Sequence, residues 1–191
     1  MQATYKPTHN PRVRASFKRY TVVYLVLLLL SSACDSLEAV PGGEGIILNT
    51  SRVLCFEFNG LTNGESKSVE STDMLDLDNF LANEGFATDE VLRAEVTDVS
   101  IRLRFPGSEN LSVFDEVDLR LSGTGSNTRV AGANDLGTGR TLVLSSTGSN
   151  VGNIVRTGSF QGILDVVGAT SSSEDFLAEV ELNFTVEVEG I

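Results

Sequence analysis

The chain has 191 residues, with 14 Lys+Arg against 26 Asp+Glu, one His and 41% hydrophobic residues. That length and balance suit one folded domain with a real core, and the formal charge of −12 argues against a nucleic-acid partner, because phosphate would be repelled at long range. The charge is uneven: residues 1–33 hold 5 of the 14 bases and no acid, so from residue 34 onward 9 bases face all 26 acids, a formal −17. Such acid excess with scarce lysine also reads as a surface adapted to salt.

Taken in order, Met1–Arg19 is a polar, basic stretch with Pro7 and Pro11, to which no fold is assigned. Lys18–Ser36 organises the rest of the chain. Two bases precede an uncharged run from Tyr20 to Cys34, apolar over Val22–Leu30 and short of the roughly 20 residues a spanning helix needs. Basic leader, short apolar run and small-residue ending follow the order of a secretory signal peptide. A retained transmembrane anchor is the alternative.

Leu30-Ser31-Ser32-Ala33-Cys34 resembles the lipobox of bacterial lipoproteins, with Ser32 and Ala33 as the small residues before the cysteine and Ser31 where leucine is usual. The resemblance implies cleavage before Cys34 and lipidation of Cys34. It places the body in the cell envelope, lipid-anchored to a bacterial membrane and outside the cytoplasm. Cys55 is then left without an intramolecular partner, so no disulfide framework supports the fold. On this reading residues 1–33 are a cleaved signal peptide, 34–45 a flexible tether with Pro41, Gly42, Gly43 and Gly45, and 46–191 a single domain.

The body reads as strands separated by turn residues. Ile46–Asn59 alternates, with Leu54, Phe56 and Phe58 inward and Val53, Cys55 and Glu57 outward. Gly60–Gly64 is a turn, and Glu65–Ser71 a polar edge strand. Ser71-Thr72-Asp73 looks like a helix start, followed by Met74, Leu77, Phe80 and Leu81 at helical spacing and Gly85 as a stop, which predicts one short helix near 73–84.

Over Leu92–Phe105 the alternation changes phase: Leu92, Ala94 and Val96 are in one register, and Val99, Ile101, Leu103 and Phe105 in the other. A β-bulge near Thr97 and Asp98 restores both halves to the core. Phe114 anchors a short helical turn, and Val117, Leu119 and Leu121 face inward. Arg102, Arg104 and Arg120 are expected to share one solvated face.

Thr124–Asn127 and Thr147–Asn150 read as hairpin loops flanking strands at Thr128–Ala133 and Thr141–Ser145, and Phe160–Val167 is a further strand. In Ala178–Val188, strict alternation puts Ala178, Val180, Leu182, Phe184, Val186 and Val188 inward and Glu179, Glu181 and Glu187 in solvent. The pattern predicts a mostly β, antiparallel β-sandwich, immunoglobulin-like or jelly-roll-like, with a β-barrel as the alternative.

Chemistry is sparse in the body. His9, the only histidine, lies in the leader, so a serine or cysteine nucleophile downstream lacks its commonest base. Cys55, inside an alternating strand, reads as a packed residue and not a thiolate. Asp73, Asp76 and Asp78 do not have the spacing of an EF-hand loop and read as solvated charges on a helix. Turn chemistry accounts for Asn134 and Asp135 in the loop Ala131–Gly139. Three Asn-X-Ser/Thr triplets, at Asn49, Asn110 and Asn183, carry no weight beside a lipobox-like leader.

No catalytic, cofactor-binding or metal residue is therefore assigned, and the chain is expected not to be an enzyme. The expected role is a membrane-anchored extracytoplasmic lipoprotein displaying an interaction or accessory module. Its partners would be the membrane through the lipid anchor, and an envelope protein or glycan through the domain. The alternative is a carrier of a lipid or other apolar ligand.

Overall fold

The computed structural model describes residues 38–39 and 45–190. The expected signal peptide and Cys34 lie outside the described residues. Of the expected tether, only Glu38–Ala39 and Gly45 fall within them.

Nine antiparallel strands form one nearly closed sheet in the order β1-β2-β9-β4-β7-β6-β5-β8-β3. They are β1 (Glu38–Ala39), β2 (Gly45–Leu61), β3 (Ser66–Asp76), β4 (Val91–Phe105), β5 (Phe114–Gly123), β6 (Ser126–Asn134), β7 (Thr141–Ser146), β8 (Ser159–Gly168) and β9 (Ser172–Glu189). The sheet folds over into two faces, β2-β9-β4-β7 and β6-β5-β8-β3. Apart from the β5–β6 hairpin, each connection from β2 onward passes from one face to the other, so the sandwich is jelly-roll-like and not immunoglobulin-like. β7 turns one corner: Thr141–Leu144 pair with β4, and Ser145 and Ser146 pair with Gly132 and Ala131 of β6.

The opposite corner is an open seam. β2 and β3 are not laddered to each other, and the one lysine among the described residues spans the gap. Lys67 Nζ donates to the carbonyls of Asn59 at 2.6 Å and Gly60 at 2.8 Å and lies 3.6 Å from the Glu65 carboxylate.

Between the faces runs one continuous core. Leu54, Phe56, Phe160, Phe176 and Phe184 are fully buried. Phe58 stacks on Phe176 with ring centroids 5.1 Å apart, Phe114 tilts against both, and Phe160 meets Phe184 edge-on at 6.2 Å. Leu54, Phe56 and Phe58 face inward as the alternation requires, as do Val117, Leu119 and Leu121 and the whole apolar row of β9. Gly162 is necessary here, because a Cβ would sit 2.4 Å from Leu54 Cδ1 and 3.0 Å from Phe56 Cζ.

The expected bulge in β4 is present, with the register to β9 shifting between Val96 and Asp98. Two further shifts, at Val91/Arg93 and Leu103/Phe105, change the outcome at the strand's ends. They turn Leu92 and Phe105 outward, and Phe105 is 50% exposed where alternation alone had put it in the core.

The helix is shorter than the spacing predicts, covering Asp78–Asn83 only. Residues up to Asp76 belong to β3, which bulges between Glu70 and Met74. Ser71 does not cap a helix: its Oγ accepts from the Gly162 N–H at 3.1 Å and donates to the Asp73 carbonyl at 2.7 Å, supplying the partner that the bulge takes from the ladder. Met74, expected on the helix's apolar face, is exposed, whereas Leu75, Leu77 and Leu81 are buried. Gly85, with φ of 89°, ends the helix as expected.

Thr124-Gly125 is the tight β5–β6 hairpin. Thr147–Asn150, expected to be a hairpin too, instead leads into a one-turn helix, Gly152–Val155. Asn150 Oδ1 accepts from the N–H groups of Gly152 at 2.8 Å and Ala94 at 3.3 Å, and this pins the chain to β4 rather than returning it alongside β7.

Candidate functional site

The outer face of β2-β9-β4-β7 carries an open groove of about 340 Å³ lined by Val53, Ser100, Arg102, Arg104, Thr141, Glu179 and Glu181. Register builds it in rows. Cys55, Glu179, Arg102 and Thr141 lie side by side on four strands, and Val53, Glu181, Ser100 and Val143 form the next row. Opposite residues on one face stand close enough to interact, so these rows behave as units. A third row begins with Glu57, Leu177 and Phe105, placing an aromatic ring at one end of the groove.

Its charges are unequally satisfied. Arg104 Nε donates to Glu179 Oε2 at 2.5 Å. Glu181 accepts only from Ser51 Oγ, at 3.3 Å, and Arg102 has no ion pair or side-chain hydrogen bond among the described residues. One cation and one anion therefore stand exposed beside each other's strands. Apolar side chains flank them: Val53 is 53% and Val143 71% exposed.

Cys55 lies in this outer face, half-buried and free. Burial, then the carboxylates of Glu179, Asp73 and Glu57, push its thiol above the usual range, with Arg104 pulling the other way. That environment disfavours the thiolate a nucleophile needs.

No family model and no curated protein matches the chain. Among solved structures, a protein from Eubacterium rectale named as secreted is 11% identical over 77% of this chain, with a TM-score of 0.40, and the chain spans only 42% of its length. A capsid chain of the cyanophage Pam1 is 16% identical over 81% of this chain and 95% of its own, with a TM-score of 0.35. A carbohydrate-binding module solved with GalNAc is 10% identical over 62% of this chain and 64% of its own, at 0.30. Scores this low carry no argument about function.

The other outer face is a closed network. Arg120 donates from Nε and Nη2 to the two oxygens of Asp165 at 2.6 and 2.8 Å, and Ser68 Oγ adds a bond of 2.5 Å to Asp165 Oδ1. Arg129 pairs with Asp118 at 2.5 Å beside Gly132, where a Cβ would fall 2.1 Å from Asp118 Oδ1. Burial alone would raise the Asp165 carboxyl, but the bonds from Arg120 and Ser68 outweigh it and hold the group below its usual range. Arg120 is thus on the opposite sheet from Arg102 and Arg104. The shared arginine face that alternation suggests does not form, because a phase pattern says which way a side chain points but not to which sheet its strand belongs.

Asp73 and Asp76 lie on β3 and not on a helix. All three aspartates are exposed, and Asp76 Oδ1 accepts the Asp78 N–H at 2.7 Å. Among the described residues no three His, Cys, Asp or Glu side chains converge as a metal site. Asp135 takes a φ of 59° in its loop. Sequence reading assigned no residue of the groove a role beyond solvation. Alternation does mark these positions as outward, but their convergence depends on four strands distant in sequence.

Proposed function

We propose that the chain is a lipid-anchored extracytoplasmic binding module that docks a macromolecular partner through the outer face of β2-β9-β4-β7. The carrying observation is the pairing of an unsatisfied cation, Arg102, with an under-satisfied anion, Glu181, in a groove flanked by Val53, Val143 and Phe105. Exposed apolar side chains around polar groups left free to bond are what a docking surface offers. The phenylalanines that occupy the space between the sheets favour docking over the carrier alternative, and the raised Cys55 thiol disfavours cysteine nucleophile chemistry.

Anchoring rests on the leader and its Ser-Ala-Cys ending. Intact-mass analysis of membrane-extracted protein should give a chain beginning at Cys34 and carrying acyl mass. A different mature start, or no acyl mass, would refute the anchor. Native mass spectrometry of the same preparation should show no bound apolar molecule, and a co-purifying lipid held inside the domain would restore the carrier.

A further inference from the structure

The groove face is self-complementary, and we infer that its occupant is a second copy of this chain, held face to face about a two-fold axis. The inference rests on the docking role proposed for that face. In a two-fold contact, whatever residue i meets as j, residue j meets as i. A face bearing a free cation and a free anion fulfils that condition when the axis lies in the contact plane midway between them: Arg102 then meets Glu181 of the second copy and Glu181 meets Arg102 of the second copy. Glu57, also exposed and unpaired among the described residues, is carried past the β2 edge, and Glu179, neutralised by Arg104 in each copy, comes beside its counterpart.

The apolar side chains fit the same axis. With strands about 4.8 Å apart and alternate residues about 6.8 Å apart along each strand, that reflection carries Val143 next to Val143 of the second copy. It also carries Val53 onto Phe105 of the second copy. Three of the five large apolar side chains that the described residues expose, Val53, Phe105 and Val143, are thereby covered by one contact.

Magnitudes make the pairing weak in free solution. Four strands by three rows cover about 19 by 20 Å, below the roughly 800 Å² per partner of a standard stable interface. The formal −17 of residues 34–191 also opposes approach. Physiological salt screens that repulsion beyond about 8 Å and leaves contact pairs in place. Copies anchored to one membrane gain the effective concentration that dilute solution lacks.

The test uses the full mature chain in detergent, with mass followed by light scattering as concentration rises. Wild type should pass from monomer to dimer. R102E and E181R should each weaken dimerisation by more than roughly tenfold, since each sets like charges against each other twice. Mixed in equal amounts, the two variants should recover the dimer, because Glu at 102 of one then faces Arg at 181 of the other in one contact and the native Glu181 and Arg102 face each other in the second. Circular dichroism melts matching wild type would show that the single variants are folded.

A dimer indifferent to both substitutions would place the contact elsewhere and overturn the inference. If wild type stays monomeric at every concentration, hydrogen exchange over Ser100–Arg104 in native membranes separates the two failures. Slowed exchange in membranes that R102E and E181R each lose and that co-expression of the two regains would keep the second copy. Slowed exchange that co-expression does not regain would overturn the second copy while leaving the docking face in place, and unchanged exchange would overturn both.

Discussion

Phe184 and Glu181 sit three residues apart on β9 and mark its two faces, the first buried against Phe160 and the second exposed. Phe184→Ala should cost about 3–5 kcal/mol, the usual range for truncating a large core side chain, whereas Glu181→Gln should change monomer stability by less than about 0.5 kcal/mol. Urea denaturation of both variants at dilute concentration checks the contrast. Asp165 adds a pH dependence. Its folded carboxyl titrates below the unfolded value of about 3.9, so its contribution is complete above that pH and is lost as pH falls through the folded value. Asp165→Asn should therefore lower stability by about 1–2 kcal/mol at neutral pH, from weakened charge-assisted bonds. The deficit should shrink below about pH 4, which denaturation midpoints at several pH values would show.

At the scale of elements, β9, the inner face of β2 and the central bulge of β4 were legible in the sequence, because alternation is strict there and one slip would bury a row of charges. The ends of β4 were not. Two more register shifts look, in sequence, like continued alternation, and only pairing to β9 shows Phe105 turned out. For the 73–84 stretch, a bulged strand followed by a short helix mimics one helical period. The loop after β4 depends on Arg140, whose Nη1 donates to the carbonyls of Pro106, Gly107 and Glu109 and whose Nη2 donates to those of Leu103 and Arg104, at 2.7 to 3.0 Å. Arg140→Ala should cost about 2–3 kcal/mol through lost bonds to carbonyls that face the same centre. It should also speed hydrogen exchange over residues 105–110. Arg140→Lys should recover only part of this, since three donors on a point charge replace a planar fork of five.

For the whole molecule, composition and alternation were enough for a two-faced antiparallel sandwich, but strand order was not readable. The groove depends on β2, β4, β7 and β9 becoming neighbours, and nothing local in any of them announces the other three. The fold has no covalent staple among its described residues, where Cys55 is the free cysteine. Thermal midpoints of the intact chain should therefore be the same with and without reductant. A fall of several degrees on reduction would reveal a bond between Cys34 and Cys55, and with it the loss of the proposed lipid anchor.

Lys67 gives the open seam a chemical address. It is the one lysine among the described residues, and its ammonium is engaged with the Asn59 and Gly60 carbonyls and faces Glu65. An amine-acylating reagent must wait for those contacts to part, and once it has reacted it leaves an amide that cannot restore the charge. The rate at which this side chain is modified thus clocks how often its ammonium leaves the Asn59 and Gly60 carbonyls at the seam, read by mass.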